Sequence, residues 1–169
     1  KSRGILPTFS IAQNISIASL SQFAHIGFVD QSAEAQTAQH FFGALNIRAR
    51  GVEDRIVRLS GGNQQKAIIA RALAAKPKAI IFNEPTEGVD IGAKIEIYRL
   101  IRDYVASGGA AVVKSSELVE LLGLSDRVLV MKAGRIVGEL SGLGPDDRPD
   151  DARKLEEAFM SLAAASKEN

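Results

Sequence analysis

An α/β fold, with a helical lobe ahead of a partial and mostly parallel sheet, is predicted by three observations on the 169-residue sequence. Two short apolar runs, 78–83 and 110–115, read as strands. The stretch between them, about 91–105, carries Ile97, Leu100, Ile101 and Tyr104 on one helical face. Strands joined by so long a helical link form a βαβ unit with a right-handed crossover, and its strands are parallel. Residues 1–76, by contrast, read as helices and loops, so the organisation expected is a helical subdomain over 1–76, an α/β core over 77–141, and a linker with a terminal helix over 142–169.

In chain order, Ser10 with Gln13 three residues on is a capping-box pattern and opens a helix through about Leu20. Ala38, Phe41, Phe42 and Leu45 recur at helical spacing and form the packing stripe of a second helix. Ser60 is a favoured N-cap residue; the proline-free segment from Gly61 to Ala75, with Ile69, Ala72 and Leu73 as its apolar stripe, makes the third. Pro77 precedes the first strand and Pro85 stops it. The Gly108–Gly109 pair separates the crossover helix from the second strand, where Lys114 interrupts an apolar run. A buried unpaired ammonium is costly, so Lys114 either reaches solvent at the strand end or meets a carboxylate. Two further apolar strands, 127–132 and 135–140, flank Ala133–Gly134 as a hairpin. Beyond the Gly-, Pro- and Asp-rich stretch 142–149, Leu155, Ala158, Phe159 and Leu162 mark an amphipathic helix.

Two places carry chemistry. At Ser60–Gly61–Gly62, unpaired amides without Cβ shielding, the positive end of the helix dipole and a serine hydroxyl are suited to a phosphate; an ordinary Ser-capped helix after a glycine turn gives the same pattern. Glu84 is the first residue past a strand expected to be buried, and ligands of open parallel sheets lie outside the carboxyl ends of strands. A solvated loop carboxylate beside a proline turn is the plainer reading of Glu84 taken alone.

The two together resemble the ATP-binding cassette family. LSGGNQ at 59–64 stands where the family has its signature, Asn83–Glu84 where a strand ends in an acidic pair, and GVD at 88–90 where the D-loop follows. EPTEGVDIGAKIEIY at 84–98 and SSELVELLGLSDRVLVMKAGRIVGE at 115–139 are similar to the second cassette of tandem monosaccharide importers of the ribose, galactose and xylose type. The resemblance implies a P-loop NTPase fold. GxxxxGK[ST] does not occur in the sequence, so a truncated cassette lacking the phosphate-loop strand is expected, and the residues just before Lys1 are where that motif would be sought.

It implies further that Ser60, Gly61, Gly62 and Gln64 serve, in trans, a nucleotide held by another cassette; that Glu84 is the general base; and that Asp90 couples the two sites. ATP and Mg²⁺ are the implied cofactors, with no metal held by this chain alone. The implied partners are the amino-terminal part of the cassette, membrane permease subunits and, indirectly, a periplasmic sugar-binding protein, which puts the chain at the cytoplasmic face of the membrane. Three departures weaken the chain's own site: Asn83 where an aspartate helps hold magnesium, Ser116 where a switch histidine is usual, and Glu87 where a basic residue is common. A non-catalytic regulatory cassette is therefore the alternative. A cassette acting on ribosomes or DNA is disfavoured by a net charge of +1, from 21 basic and 20 acidic residues, which also argues against any nucleic-acid partner.

The chain has no cysteine, hence no disulfide framework and no thiolate metal site. No apolar run approaches the roughly 20 residues that cross a bilayer. His25 and His40 fall in the helical lobe and are not candidates for catalysis. An unpaired apolar sheet edge in a truncated cassette would recruit a second copy of the chain.

Overall fold

The computed structural model describes residues 4–25 and 27–141, together with Glu157 and Ser161. The linker and terminal helix expected over 142–169, with Leu155, Ala158, Phe159 and Leu162, lie outside the described residues. One compact unit runs to Val112 and a second begins at Val113.

Helix α1 (Ile11–Ser16) starts at the capping box: Ser10 Oγ accepts from Gln13 N at 3.2 Å and Gln13 Oε1 accepts from Ser10 N at 3.0 Å. It stops earlier than the sequence suggests. The chain tightens into a 3₁₀ segment over Ile17–Gln22, within which Ser19 leaves helical geometry at φ −124°, ψ 15°. Serine hydroxyls are responsible: Ser19 Oγ donates to Ser16 O at 3.0 Å, and Ser16 Oγ donates to the Glu34 carboxylate. Such bonds compete with the helix ladder.

A minimal antiparallel pair, β1 (Ala24–His25) and β2 (Phe28–Val29), leads into α2 (Gln31–Ala44). Asp30 caps α2, accepting from Ser32 N at 2.9 Å and Ala33 N at 3.1 Å. Its expected stripe packs inward, with Ala38 and Leu45 buried and Phe41 and Phe42 against the same core. A 3₁₀ turn over Ile56–Arg58 precedes α3 (Gly61–Ala74). Of the stripe expected on α3, Ile69 is buried but Ala72 and Leu73 are only half-buried, and Ala67, Ala70 and Ala74 join Ile11, Ile15 and Ile56 in the core. Small side chains let α1 and α3 approach closely, a gain that hydrophobicity counting misses. Buried Asn14 is fully engaged in this seam, accepting from Leu6 N and from the Arg71 fork, which also reaches Asn14 O at 2.6 Å and Gly4 O at 2.6 Å.

The βαβ unit follows as predicted: β3 (Ala79–Asn83), α4 (Ile91–Ala106), β4 (Ala110–Lys114). Ala110 N donates to Lys78 O at 3.0 Å, joining the strands at their amino-terminal ends, the arrangement of a parallel pair. Strand β3 is not buried on both faces as expected. Ile80 and Phe82 point into the core, while Ile81 is 76% exposed and Val112 on β4 is 59% exposed. Among the described residues β3 pairs with β4 alone. Tyr104 closes the unit from α4: its hydroxyl donates to Pro77 O at 3.0 Å, and its ring lies over Gly109. Lys114 sits exposed at the end of β4.

In the second unit, Ser115 Oγ accepts from Glu117 N at 3.0 Å and donates to the buried Glu120 carboxylate at the start of α5 (Leu118–Leu124). Helix α5 shows no stripe in the sequence, because Leu118, Val119, Leu121, Leu122 and Leu124 surround it with apolar groups. The hairpin is as expected: β5 (Arg127–Lys132) and β6 (Arg135–Ser141) pair antiparallel, with Lys132 opposite Arg135. Ala133 and Gly134 both adopt positive φ, 48° and 76°, which is the two-residue turn matched to strand twist.

Candidate functional site

The start of α3 is built so that its anion-attracting end stays open. Ser60 takes the extended N-cap geometry (φ −61°, ψ 159°) and its carbonyl accepts the first helical bond from Gln64 N at 2.9 Å. Its hydroxyl does not cap the helix. Instead Asn63 Nδ2 donates to Ser60 Oγ at 2.9 Å, and Asn63 Oδ1 accepts from Arg48 N at 3.0 Å. Ser60 and Gly61 are exposed. Gly62 is buried: a Cβ there would lie 3.3 Å from both Ala93 Cβ and Val89 Cγ1, and 3.7 Å from Asp90 Oδ2. A Cβ on Gly61 would come within 3.8 Å of Gly88 O. The second glycine therefore serves close packing of α3 on the 88–93 segment, and the first lines the open corner.

Gln64 Nε2 donates to Leu59 O at 3.1 Å and to Ile56 O at 3.4 Å, which staples the 3₁₀ turn to the helix. Two residues on, Lys66 is buried and donates to Asn46 O at 3.2 Å and to the Glu96 carboxylate on α4. Asn46 Nδ2 donates to the other Glu96 oxygen at 3.3 Å. The Lys66 hydrogen bond, more than the opposing burial, holds the Glu96 carboxyl below the usual carboxylate range, with Asn46 and Arg48 adding to the effect.

Glu84 follows β3 with φ at +48°, a left-handed backbone that is costly for a residue with a Cβ. The turn it starts is double, Glu87 N donating to Glu84 O at 3.3 Å and Val89 N to Thr86 O at 3.2 Å, with Gly88 at φ +71°. Pro85 and Thr86 are buried beneath it. Asp90 ends the turn as the N-cap of α4, accepting from Ala93 N at 3.0 Å. The structure thus joins Ser60, Gly61 and Gly62 to Gly88 and Asp90 at one corner of the first unit. Asn83 is exposed at the end of β3, and Ser116 is exposed in the second unit.

The sequence did not reveal two features. One is Asn63, whose bonds run to Ser60 and to the loop before the 3₁₀ turn. The other is a cavity of about 440 Å³ lined by Arg48, Ala49, Arg50, Asp54, Arg58 and Leu59, in which Arg58 pairs with Asp54 at 3.5 Å. Four arginines within eleven positions, at 48, 50, 55 and 58, were its available signal, and three of them line it. For a divalent cation, Asn83 and Glu84 offer one amide and one carboxylate group, and among the described residues no cluster of three or more His, Cys, Asp and Glu exists. These residues alone do not fit a resident Mg²⁺. Among the described residues no helix is long and apolar enough to cross a membrane.

A glycine-opened helix without a side-chain cap, set beside the turn that follows β3 in an α/β unit, belongs to a cassette fold. The likeness in three dimensions agrees: the ATP-binding cassette MJ0796, solved as a dimer in a post-hydrolysis state bound to ADP and Pi, superposes with a TM-score of 0.71 at 23% identity, covering 83% of this chain and 60% of that one. The ATP-binding cassette MJ1267 gives a TM-score of 0.74 at 21% identity, covering 94% and 64%. The chain belongs to the ABC transporter family, whose profile matches residues 1–87.

Among curated relatives, a ribose import ATP-binding protein of Rubrobacter xylanophilus is 48% identical over 139 residues, 82% of this chain and 27% of the relative. One from Burkholderia pseudomallei is 43% identical over 167 residues, 99% of this chain and 31% of the relative. A xylose import ATP-binding protein of Moorella thermoacetica is 47% identical over 82% of this chain and 27% of its own length. The chain spans less than a third of the length of these relatives.

Proposed function

We propose that the chain is part of an ATP-hydrolysing cassette of a monosaccharide importer, in which the Ser60–Gly61 corner grips the terminal phosphate of an ATP held mainly by another cassette. The observation that carries the proposal is the open start of α3, with an exposed serine hydroxyl and first-turn amides that no side chain caps. Identity of 43–48% to ribose and xylose import ATP-binding proteins supports the substrate class.

In this reading the Ser60 hydroxyl and the Gly61 amide bind the γ-phosphate, Gly62 keeps α3 seated on the D-loop, and Gln64 holds the preceding turn in place. Glu84, lifted out of the strand by its left-handed backbone, orients water for in-line attack and accepts its proton. Asp90, at the junction of the D-loop with α4, passes the state of one site to the other. A Mg²⁺ arriving with ATP would supply charge neutralisation on the phosphates, and Asn83 would offer it only a neutral oxygen. Permease subunits, a sugar-binding protein outside the membrane and a second cassette complete the assembly, with this chain peripheral at the cytoplasmic face. Among the described residues β3 and β4 pair only with each other, and their outer edges are where a second copy of the isolated chain would pair.

Asn83 and Ser116 favour a second reading, a regulatory cassette that responds to nucleotide without hydrolysing its own. ATP hydrolysis and sugar uptake by the complete transporter, wild type against Glu84→Gln, separate the two. A base role predicts a fall of about 10²-fold or more in hydrolysis. An unchanged rate removes Glu84 from the chemistry and leaves the regulatory reading.

A further inference from the structure

We propose that Asn63 is the positioning residue of the phosphate corner: it diverts Ser60 from capping its own helix and turns the serine proton toward the ligand. The inference rests on the trans-nucleotide reading above and concerns the same site.

The helix starts of the first unit supply the contrast. Ser10 Oγ accepts from Gln13 N at 3.2 Å, Asp30 accepts from Ser32 N and Ala33 N, and Asp90 accepts from Ala93 N at 3.0 Å. Each spends a side-chain oxygen on amides of its own first turn, which is the ordinary use of an N-cap. Ser60 has the right residue type and backbone for the same bond and does not make it. What intervenes is Asn63, at the third helical position. Its Oδ1 accepts from Arg48 N at 3.0 Å, and that bond fixes which way the amide faces, so that Nδ2 is the group directed at Ser60 Oγ, 2.9 Å away.

Two consequences follow from donor and acceptor counting. A hydroxyl has one proton and two lone pairs; with Asn63 donating into one lone pair, Ser60 keeps its proton to give away. The helix also keeps first-turn amides that no side chain satisfies, together with the positive end of its dipole. An anion arriving at this corner meets a donating hydroxyl and open amides at once. Without Asn63, Ser60 Oγ is released to cap the helix, as Ser10 does, and competes with the ligand for the same amides. Asn63 is half-buried and has no need to touch the nucleotide to have this effect.

The test is a double-mutant cycle on ATP hydrolysis by the complete transporter carrying this cassette, with Ser60→Ala, Asn63→Ala and the double variant. Each single substitution should lower kcat about tenfold to a hundredfold, the loss of one hydrogen bond to a charged group, and leave the KM for ATP within about threefold. In the Ser60→Ala background, Asn63→Ala should cost no more than about twofold further. Asn63→Leu, which keeps side-chain volume, should repeat the result.

Each outcome decides. A cost of Asn63→Ala that persists undiminished beside Ser60→Ala means that Asn63 contacts the nucleotide itself and overturns the positioning role. Loss of the cooperative unfolding transition in both Asn63 variants assigns the residue to the fold and also overturns it. A wild-type rate for Ser60→Ala overturns the trans-nucleotide reading, and the present inference with it; the first two results leave that reading standing.

Discussion

Replacing Lys66 with methionine keeps the length of a side chain that is only 4% exposed and removes its ammonium. The wild-type group joins three elements, since Nζ donates to Asn46 O after α2 and to Glu96 on α4 from its own place on α3. Breaking a fully buried ion pair costs about 3–5 kcal/mol and an exposed one about 0–1 kcal/mol. Glu96 is 34% exposed and keeps its bond from Asn46 Nδ2, so it rehydrates in part, and the expected cost lies between these limits at about 2 kcal/mol. For a unit of this size that is a fall in thermal midpoint of roughly 8 °C. Both tyrosines of the chain, Tyr98 and Tyr104, lie on α4, so their fluorescence during urea unfolding reports on the helix that carries Glu96.

The pH dependence supplies the sharper check. Glu96 has a depressed carboxyl pKa in the folded chain, so the unfolded chain binds more protons in that range and stability rises with pH there. The contribution is whole above the unfolded carboxyl value of about 4.3 and is lost as pH falls below it through the folded value. Wild type and Lys66→Met should therefore differ by about 2 kcal/mol at pH 7 and draw together as pH falls through the carboxylate range. A difference that is the same at pH 3 and pH 7, or one below about 0.5 kcal/mol at pH 7, refutes the ion-pair argument.

Two further substitutions test close approaches. Gly109→Ala puts a Cβ 2.3 Å from Tyr104 Cζ, so the ring must leave and its 3.0 Å bond to Pro77 O must break; a loss of about 2–3 kcal/mol in the same urea assay is expected, against about 1 kcal/mol for Tyr104→Phe. Gly62→Ala crowds Val89 and Ala93 at 3.3 Å and should cost about 1–2 kcal/mol, whereas Gly61→Ala, with its nearest neighbour at 3.8 Å, should cost under about 0.5 kcal/mol. Equal costs at the two glycines would remove the packing role assigned to Gly62.

What the sequence made legible depended on period and punctuation. The capping box at Ser10, the 91–105 stripe and the Ala133–Gly134 turn are local signals, and the elements formed where those signals lay. Misses came where a tertiary partner decided the outcome. Alanines 67, 70 and 74 form the buried face of α3 because α1 comes close enough to use small side chains, which no apolar count over α3 alone reveals. Serines 16 and 19 end α1 through bonds to a neighbouring carboxylate and to backbone, so the break depends on Glu34 as much as on the helix. At the site, Ser60, Gly61 and Glu84 were visible as residue types in order, while the roles of Asn63 and Lys66 depend on Arg48, Asn46 and Glu96, which are distant in sequence.

Glu84 brings stability and activity into opposition. A glutamate at φ +48° carries a backbone cost of about 1–2 kcal/mol that glycine at the same place does not. Glycine returns part of that gain through the greater freedom of the unfolded chain, about 0.4–1 kcal/mol. Both Glu84→Gly and Glu84→Gln remove the carboxylate with its contacts, so the backbone alone should leave the glycine variant more stable than the glutamine one by about 0.5 kcal/mol. A residue held in an unfavourable backbone that glycine would relieve is retained for what its side chain does. If Glu84→Gly instead lowers the urea midpoint as far as Lys66→Met does, the Glu84 carboxylate is a structural contact, and its claim to the attacking water loses its physical basis.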